Sequence, residues 1–145
     1  MDFLTGMRVS SSGMAAQRIR MNTISSNIAN ISTTRTPEGG PYRRKDAVFE
    51  AMPEQKTFGE ILNTEVDRNV NRVQVSDIAV DRKAPLMKYE PNHADANADG
   101  YVAYPNINLM EEMTNMIQAT RAYEANVSAM GATKNMAISA LEIGR

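Results

Sequence analysis

Apolar positions in this chain follow one pattern at each end and another in the middle. Near the N-terminus Met7, Met14, Met21 and Ile28 recur every seven residues, flanked by Phe3, Ile24 and Ile31. Near the C-terminus Leu109, Met113, Met116, Thr120, Tyr123, Val127, Met130, Lys134, Ala137 and Leu141 step by four and three without a break. Such a repeat keeps one narrow face toward a partner helix, as in coiled-coil packing, and is too thin to fill a globular core. Two helical arms are expected, over residues 1–32 and 107–145. Met7, Met14, Met21, Ile24, Ile28, Leu109, Met113, Met116, Tyr123, Val127, Met130 and Leu141 form the candidate assembly interface.

Local signals place the ends of these arms. Asp2 is suited to cap the first helix, which fades between Asn30 and Pro37. Gly6, Ser10 and Gly13 form a small-residue strip beside the methionines, an arrangement that a closely approaching neighbour would justify. From Thr33 to Pro41 two prolines and the pair Gly39 and Gly40 predict a loop. Residues 33–106 read as that loop followed by a small, irregular β region. Strands are expected at Ala47–Met52, Leu86–Tyr89 and Tyr101–Tyr104. Between Val70 and Val80 the alternation of Val73 and Val75 falls out of phase with Ile78 and Val80, so Ser76 and Asp77 predict a bulge or turn. Asn108 and Glu111 read as a capping box for the last helix, which at 1.5 Å per residue runs about 54 Å to Ile143. The predicted class is α+β, mainly α.

Composition narrows the function. Between two arms the middle of a 145-residue chain keeps only about 70 residues, near the lower limit for an independent core. Assembly is expected to supply the remaining stability. A net charge of −1 offers no broad field for nucleic acid, and the short basic runs Arg18 with Arg20 and Arg43 to Lys45 read as solvated faces. Eleven methionines and no tryptophan suit adaptable apolar surfaces. The absence of cysteine excludes disulfides, thiolate metal sites and thiol nucleophiles. No stretch approaches the roughly 20 apolar residues of a membrane-spanning helix. Thr5, Gly6, Arg8 and Ser10 to Ser12 interrupt any signal-like run, so if the protein leaves the cytoplasm a route without a cleaved signal is expected.

Candidate chemistry is sparse. His93, the single histidine, has no serine, cysteine or second histidine placed to make a nucleophile and base. Asp95, Asn97, Asp99 and Gly100 match the first half of an EF-hand loop, but its twelfth position is Asn106, and Pro91 and Pro105 stand where flanking helices should run. These residues are also those a turn before a strand prefers. Glu111 and Glu112 are accounted for by capping. No enzyme activity, metal or other cofactor is expected.

Two runs carry a resemblance. Ser12, Gly13, Met14, Ala15, Ala16, Met21, and then Asn27, Ile28, Ala29, Asn30 lie near one end. Asn108 to Met113, with Glu111 and Glu112, continues through Ile117, Arg121, Ala122, Tyr123, Glu124, Ala125 and Asn126 near the other. Together they resemble the paired terminal signatures of the rod and hook proteins of the bacterial flagellum and cover about half the chain. The longer bridge Arg35 to Pro41 before Tyr42, Arg43 and Arg44, the stretch Gly100 to Asn106 and the short length are similar to the small proximal rod proteins of that family. The resemblance implies a non-enzymatic subunit of the periplasmic drive shaft, exported by the flagellar type III apparatus. It implies as partners copies of itself, other rod proteins and the base that joins the rod to the membrane ring. The alternatives are the second kind of small rod protein and a soluble coiled-coil adaptor that dimerises through its ends.

Overall fold

The computed structural model describes residues 3–53 and 71–143. Asp2, the expected cap, lies outside them. Helix α1 spans Phe3–Ala29 and helix α2 spans Leu109–Ile143, with strands β1 (Lys45–Pro53), β2 (Asn71–Val80), β3 (Leu86–Tyr89) and β4 (Tyr101–Tyr104) between them. The class is α+β, mainly α.

The helices run antiparallel, in a register read from three contacts. A Cβ placed on Gly6 would lie 3.9 Å from Thr133 Cγ2, and one on Gly13 would lie 3.0 Å from Asn126 Oδ1. Asn27 Nδ2 donates to Glu112 Oε2 at 2.9 Å. The residue numbers of each pair add to 139, so both helices contribute one residue per heptad to a common seam. Ser10, Ala16, Thr23, Ile24 and Asn27 of α1 and Glu112 and Ala119 of α2 are buried. Gly6, Ser10 and Gly13 let the backbones approach closely, which offsets the roughly 1 kcal/mol that a glycine costs inside a helix.

This seam is out of phase with the predicted one. Met7, Met14, Met21 and Ile28 flank it half-buried, one residue after each of its positions 6, 13, 20 and 27. The reason is width, since small side chains permit a closer helix pair than methionines do. On α2, Met116, Tyr123, Met130 and Ala137 are half-buried, whereas Leu109, Met113, Thr120, Val127, Lys134 and Leu141 are exposed.

β1 and β2 form an antiparallel hairpin that packs on α1. Val48 pairs with Asp77 and Phe49 with Val75, leaving Ser76 as the extra residue of a bulge where the alternation changes phase. The Val73 amide donates to Ser12 Oγ at 3.2 Å, and the Arg20 guanidinium lies 6.0 Å from the centre of the Phe49 ring. β3 and β4 form a second two-stranded sheet whose Val102 is fully buried. Between them, Asn97 Oδ1 accepts the Asp99 and Tyr101 amides at 3.1 and 2.8 Å, and Gly100 has φ of 80°. A Cβ there would sit 2.8 Å from the Tyr89 ring, so glycine is required by both backbone and space. Asp95 Oδ2 accepts from Thr34 Oγ1 at 2.8 Å. The acidic loop is built as a side-chain-supported turn. Asn108 Oδ1 accepts the Met110 amide at 3.0 Å, the expected cap of α2.

Two predictions follow from this packing. Gly13→Leu forces the seam apart and lowers stability by about 1–3 kcal/mol in urea melts. By contrast Gly131→Ala, in open space on α2, raises it by about 0.5–1 kcal/mol. In the second hairpin, hydrogen bonds from Lys88 and then from the Tyr104 hydroxyl hold the Glu90 carboxyl below its usual 4.5, and the two act against a smaller effect of burial. A folded pKa below the unfolded one means that this contribution is complete above pH 4.5 and is lost as pH falls through the lower folded value. The Tyr104 hydroxyl donates to Glu90 Oε2 at 2.9 Å, so the Tyr104 ring signals in NMR should shift on acidification below about pH 4.5, and Glu90→Gln should remove that dependence.

Candidate functional site

The last turn of α1, the start of β1 and the first turn of α2 meet at a buried polar joint. Asn27, fully buried, occupies a seam position where Gly6 and Gly13 stand in earlier heptads. Its Nδ2 donates to the Lys45 carbonyl at 2.8 Å and to Glu112 Oε2 at 2.9 Å. Its Oδ1 accepts from the Lys45 amide at 2.9 Å and the Tyr42 hydroxyl at 3.1 Å. Both donors and both lone pairs of the amide are thus used. Ser26 Oγ lies 3.2 Å from the same Tyr42 hydroxyl.

Glu112 is only 1 % exposed. A carboxylate so buried costs several kcal/mol unless it is paired and hydrogen-bonded. Arg44 Nε supplies the pairing at 2.7 Å from Oε1, and Arg44 Nη1 also reaches Asp46 Oδ2 at 3.2 Å. Burial alone pulls the Arg44 pKa down, but the hydrogen bond and attraction to Glu112, with the weaker pull of Asp46, raise it above its usual value. The Asp81 amide holds the Arg44 carbonyl at 2.8 Å, tying β2 to the joint. Within this arrangement every strong group is committed to a neighbour. Its chemistry is that of a fastening.

The remaining motif residues sort by position. Asn30 Nδ2 donates to the Ser26 carbonyl at 2.8 Å and Asn30 Oδ1 accepts from Thr33 Oγ1 at 3.2 Å, so this residue finishes α1 and starts the bridge. Ser12 Oγ donates to the Val9 carbonyl at 2.7 Å and accepts from β2, and Gly13 faces Asn126, whose Nδ2 donates to the Ala122 carbonyl at 2.8 Å. Ile28 and Tyr123 are half-buried; Ala29, Glu111, Met113 and Arg121 are exposed. Two expectations are corrected here. Arg44 is not a solvated basic residue, and Glu112 is not accounted for by capping. In the sequence Glu112 is singled out only through its place in the run Asn108 to Met113.

The candidate interface also divides. Ile24 is buried within the chain and is unavailable to a neighbour. Met7, Met14, Met21, Ile28, Met116, Tyr123 and Met130 flank the inner seam. Leu109, Met113, Val127 and Leu141 are exposed, joined by Met110, Ile117 and Ile138, which the periodicity reading missed. Positions 110, 113, 117, 120, 124, 127, 131, 134, 138 and 141 step by three and four along an outer seam of α2, with Met110 70 % and Leu141 77 % exposed.

Residues 7–35 match the flagella basal body rod protein family, and residues 98–143 match the flagellar basal body rod FlgEFG protein C-terminal family. The flagellar basal-body rod protein FlgC of Borreliella burgdorferi is 42 % identical over 149 aligned residues, covering 99 % of this chain and 98 % of the relative. That of Bacillus subtilis is 44 % identical, covering 96 % of each, and that of Salmonella typhimurium 34 %, covering 94 % of each. The chain belongs to the FlgC family of flagellar basal-body rod proteins. FlgC proteins are structural rod subunits, and this chain is one, located at the flagellar basal body and assembling with other rod proteins. The family assignment displaces the soluble adaptor and selects between the two kinds of small rod protein. Both halves of the joint fall near or within the matched segments, Asn27 in the first and Glu112 in the second.

Removing one member of the buried pair should be costly. Glu112→Ala strands Arg44 and one Asn27 donor and is expected to lower stability by about 3–5 kcal/mol. Glu112→Gln keeps one acceptor, sets its own NH2 against the other donor and removes the charge, and should lose less, about 1–3 kcal/mol. Urea denaturation followed by circular dichroism measures both; equal losses would show that the joint is not electrostatic.

Proposed function

We propose that this chain is a proximal rod subunit that polymerises through the outer seam of α2 and transmits motor torque along the shaft. The observation that carries this reading is the open seam itself. α1 covers one face of α2, and a second apolar stripe of heptad spacing stays exposed. Six large apolar side chains lie on it, Met110, Met113, Ile117, Val127, Ile138 and Leu141, and covering the exposed part of each returns on the order of 1 kcal/mol. Gly131 supports the same reading, since a Cβ there would meet nothing within 4 Å. A helix-interior glycine without a function in the isolated chain is explained by close approach of a neighbour. Contacts between unlike faces of successive copies do not close on a dimer, and such contacts generate a helical polymer.

The reading includes a non-enzymatic role, with copies of itself, other rod proteins and the base joining the rod to the membrane ring as neighbours. It places the subunit in the periplasm, exported by the flagellar type III apparatus without loss of an N-terminal signal. Retention of the first arm is supported by Asn27, because the joint cannot form without α1. Tightly committed polar groups at the joint, and an open apolar stripe beside it, suit a load-bearing part.

The decisive substitution is Val127→Asp, which puts a charge in the middle of the outer seam while leaving the inner one intact. The isolated subunit should keep its stability to within about 0.5 kcal/mol, since exposed sites tolerate such changes. In cells, expression and export should be normal, whereas rods should be incomplete and motility absent. Lys134→Gln, already polar, should be mild. Rods purified from the parent strain should contain the subunit with residues 3–29 in place. Normal swimming by Val127→Asp cells would show that the outer seam is not the interface. Met116→Asp is a different test, because Met116 flanks the inner seam and its replacement should unfold the arm.

A further inference from the structure

We infer that Asn27, Glu112 and Arg44 are positioning residues that select the axial register of the two-helix arm against slips of one heptad. The rest of the seam opposes only one of the two slips. Gly6 and Gly13 meet Thr133 and Asn126 through small surfaces, and the seam repeats every seven residues on both helices. Moving α2 by one heptad, about 10 Å, toward a pair sum of 146 sets Gly13 against Thr133, Arg20 against Asn126 and Asn27 against Ala119. At this spacing even a Cβ opposite Asn126 lies 3.0 Å from its Oδ1, so Arg20 is crowded there and packing opposes this slip together with the joint. Moving it the other way, to 132, sets Gly13 against Ala119 and Arg20 against Glu112, a pairing of opposite charge that favours the wrong register.

Nor do the strands block sliding. Among the described residues α1 is the only helix or strand that α2 packs against, while the β1–β2 hairpin sits on α1 alone. Only the joint ties α2 to β1, through the Arg44 to Glu112 bond and through Asn27, whose amide bonds the Lys45 backbone and Glu112 together. In either slipped register Glu112 loses both partners or exchanges them for Arg20, and the Asn27 amide loses the carboxylate. Buried polar groups with a single satisfying arrangement are a well-attested means of choosing register in helix pairs. Correct register also sets where the outer seam lies along the molecule, because α2 carries that seam while the hairpin rides on α1.

The chain contains no cysteine, so paired cysteines report register directly. In the full-length protein Gly6→Cys, where an added Cβ makes only ordinary contact at 3.9 Å, is combined with Thr133→Cys for the observed register, with Ala140→Cys for one slip, and with Asn126→Cys for the other. Under mild oxidation the first pair should cross-link and the other two should not. Each pair is then placed on Asn27→Ala with Glu112→Ala, and separately on Asn27→Leu, Glu112→Met and Arg44→Met, a packed apolar replacement that is expected to stay folded. Intramolecular cross-linking of at least one slipped pair should rise about tenfold or more, as expected when a buried pair no longer biases the equilibrium. Cross-linking of the observed pair alone, in helical variants, overturns the inference. So does loss of helical circular dichroism in both backgrounds, which would make the joint a requirement for folding and not for alignment. Failure of the observed pair to cross-link with the joint intact overturns it as well.

Discussion

The architecture depends on the burial of one carboxylate. Glu112 sits 1 % exposed in the first turn of α2, and a charge there is tolerable only when a cation and a second donor meet it. Arg44 and Asn27 do so, and each is itself committed to the start of β1. Three segments separated by tens of residues thus close together or not at all. The loop at 33–41 and the hairpin that follows are positioned by that closure, because the Tyr42 hydroxyl and the Lys45 amide both donate to Asn27 Oδ1. Apolar burial elsewhere is modest, with Ala16, Ile24, Val102, Ile107 and Ala119 forming the buried apolar set among the described residues. A small core of this kind leaves polar geometry with unusual weight.

α2 is divided between two tasks. Its inner face, through Glu112, Ala119, Asn126 and Thr133, belongs to the subunit, and its outer face remains apolar and open. The two rows of the outer face, one residue after and two residues before the inner positions, lie about 100° and 160° from them on a helix of 3.6 residues per turn. Residues such as Met116 and Tyr123 lie on the inner side at half exposure, so the covered region is a narrow band. A covered band so narrow leaves much of the apolar surface of α2 facing solvent.

How much of this was legible beforehand differs by element, for physical reasons. The bounds of β3 and β4 were legible because prolines and turn residues border them, and the change of phase at Ser76 and Asp77 marked the bulge. Asn108 marked the start of α2. The phase of the seam was not legible, because Met7, Met14 and Met21 run beside Gly6 and Gly13 with the same period, and period alone does not say which row is innermost. Hydrophobicity favoured the methionines; close packing chose the glycines. The bond between Arg44 and Glu112 was not legible, because a pair 68 residues apart leaves no local trace. Part of the joint is Lys45 backbone, which carries no side-chain signal at all. Asn27, Tyr42 and Glu112 were picked out through family resemblance, without the contacts that explain them.

The bulge at Ser76 has a wider effect than a local irregularity. Counting along β2, Val73 and Val75 share a side of the ribbon, and plain alternation would send Ile78 and Val80 to the other. The one unpaired residue restores parity, so Ala47, Phe49 and Ala51 of β1 stand opposite Ile78, Val75 and Val73 on a single side. Odd and even length changes in this strand are therefore different events. An extra or missing single residue between Val75 and Ile78 turns the whole distal half of the ribbon inside out, whereas a change of two shortens or lengthens it and leaves its sidedness unaltered.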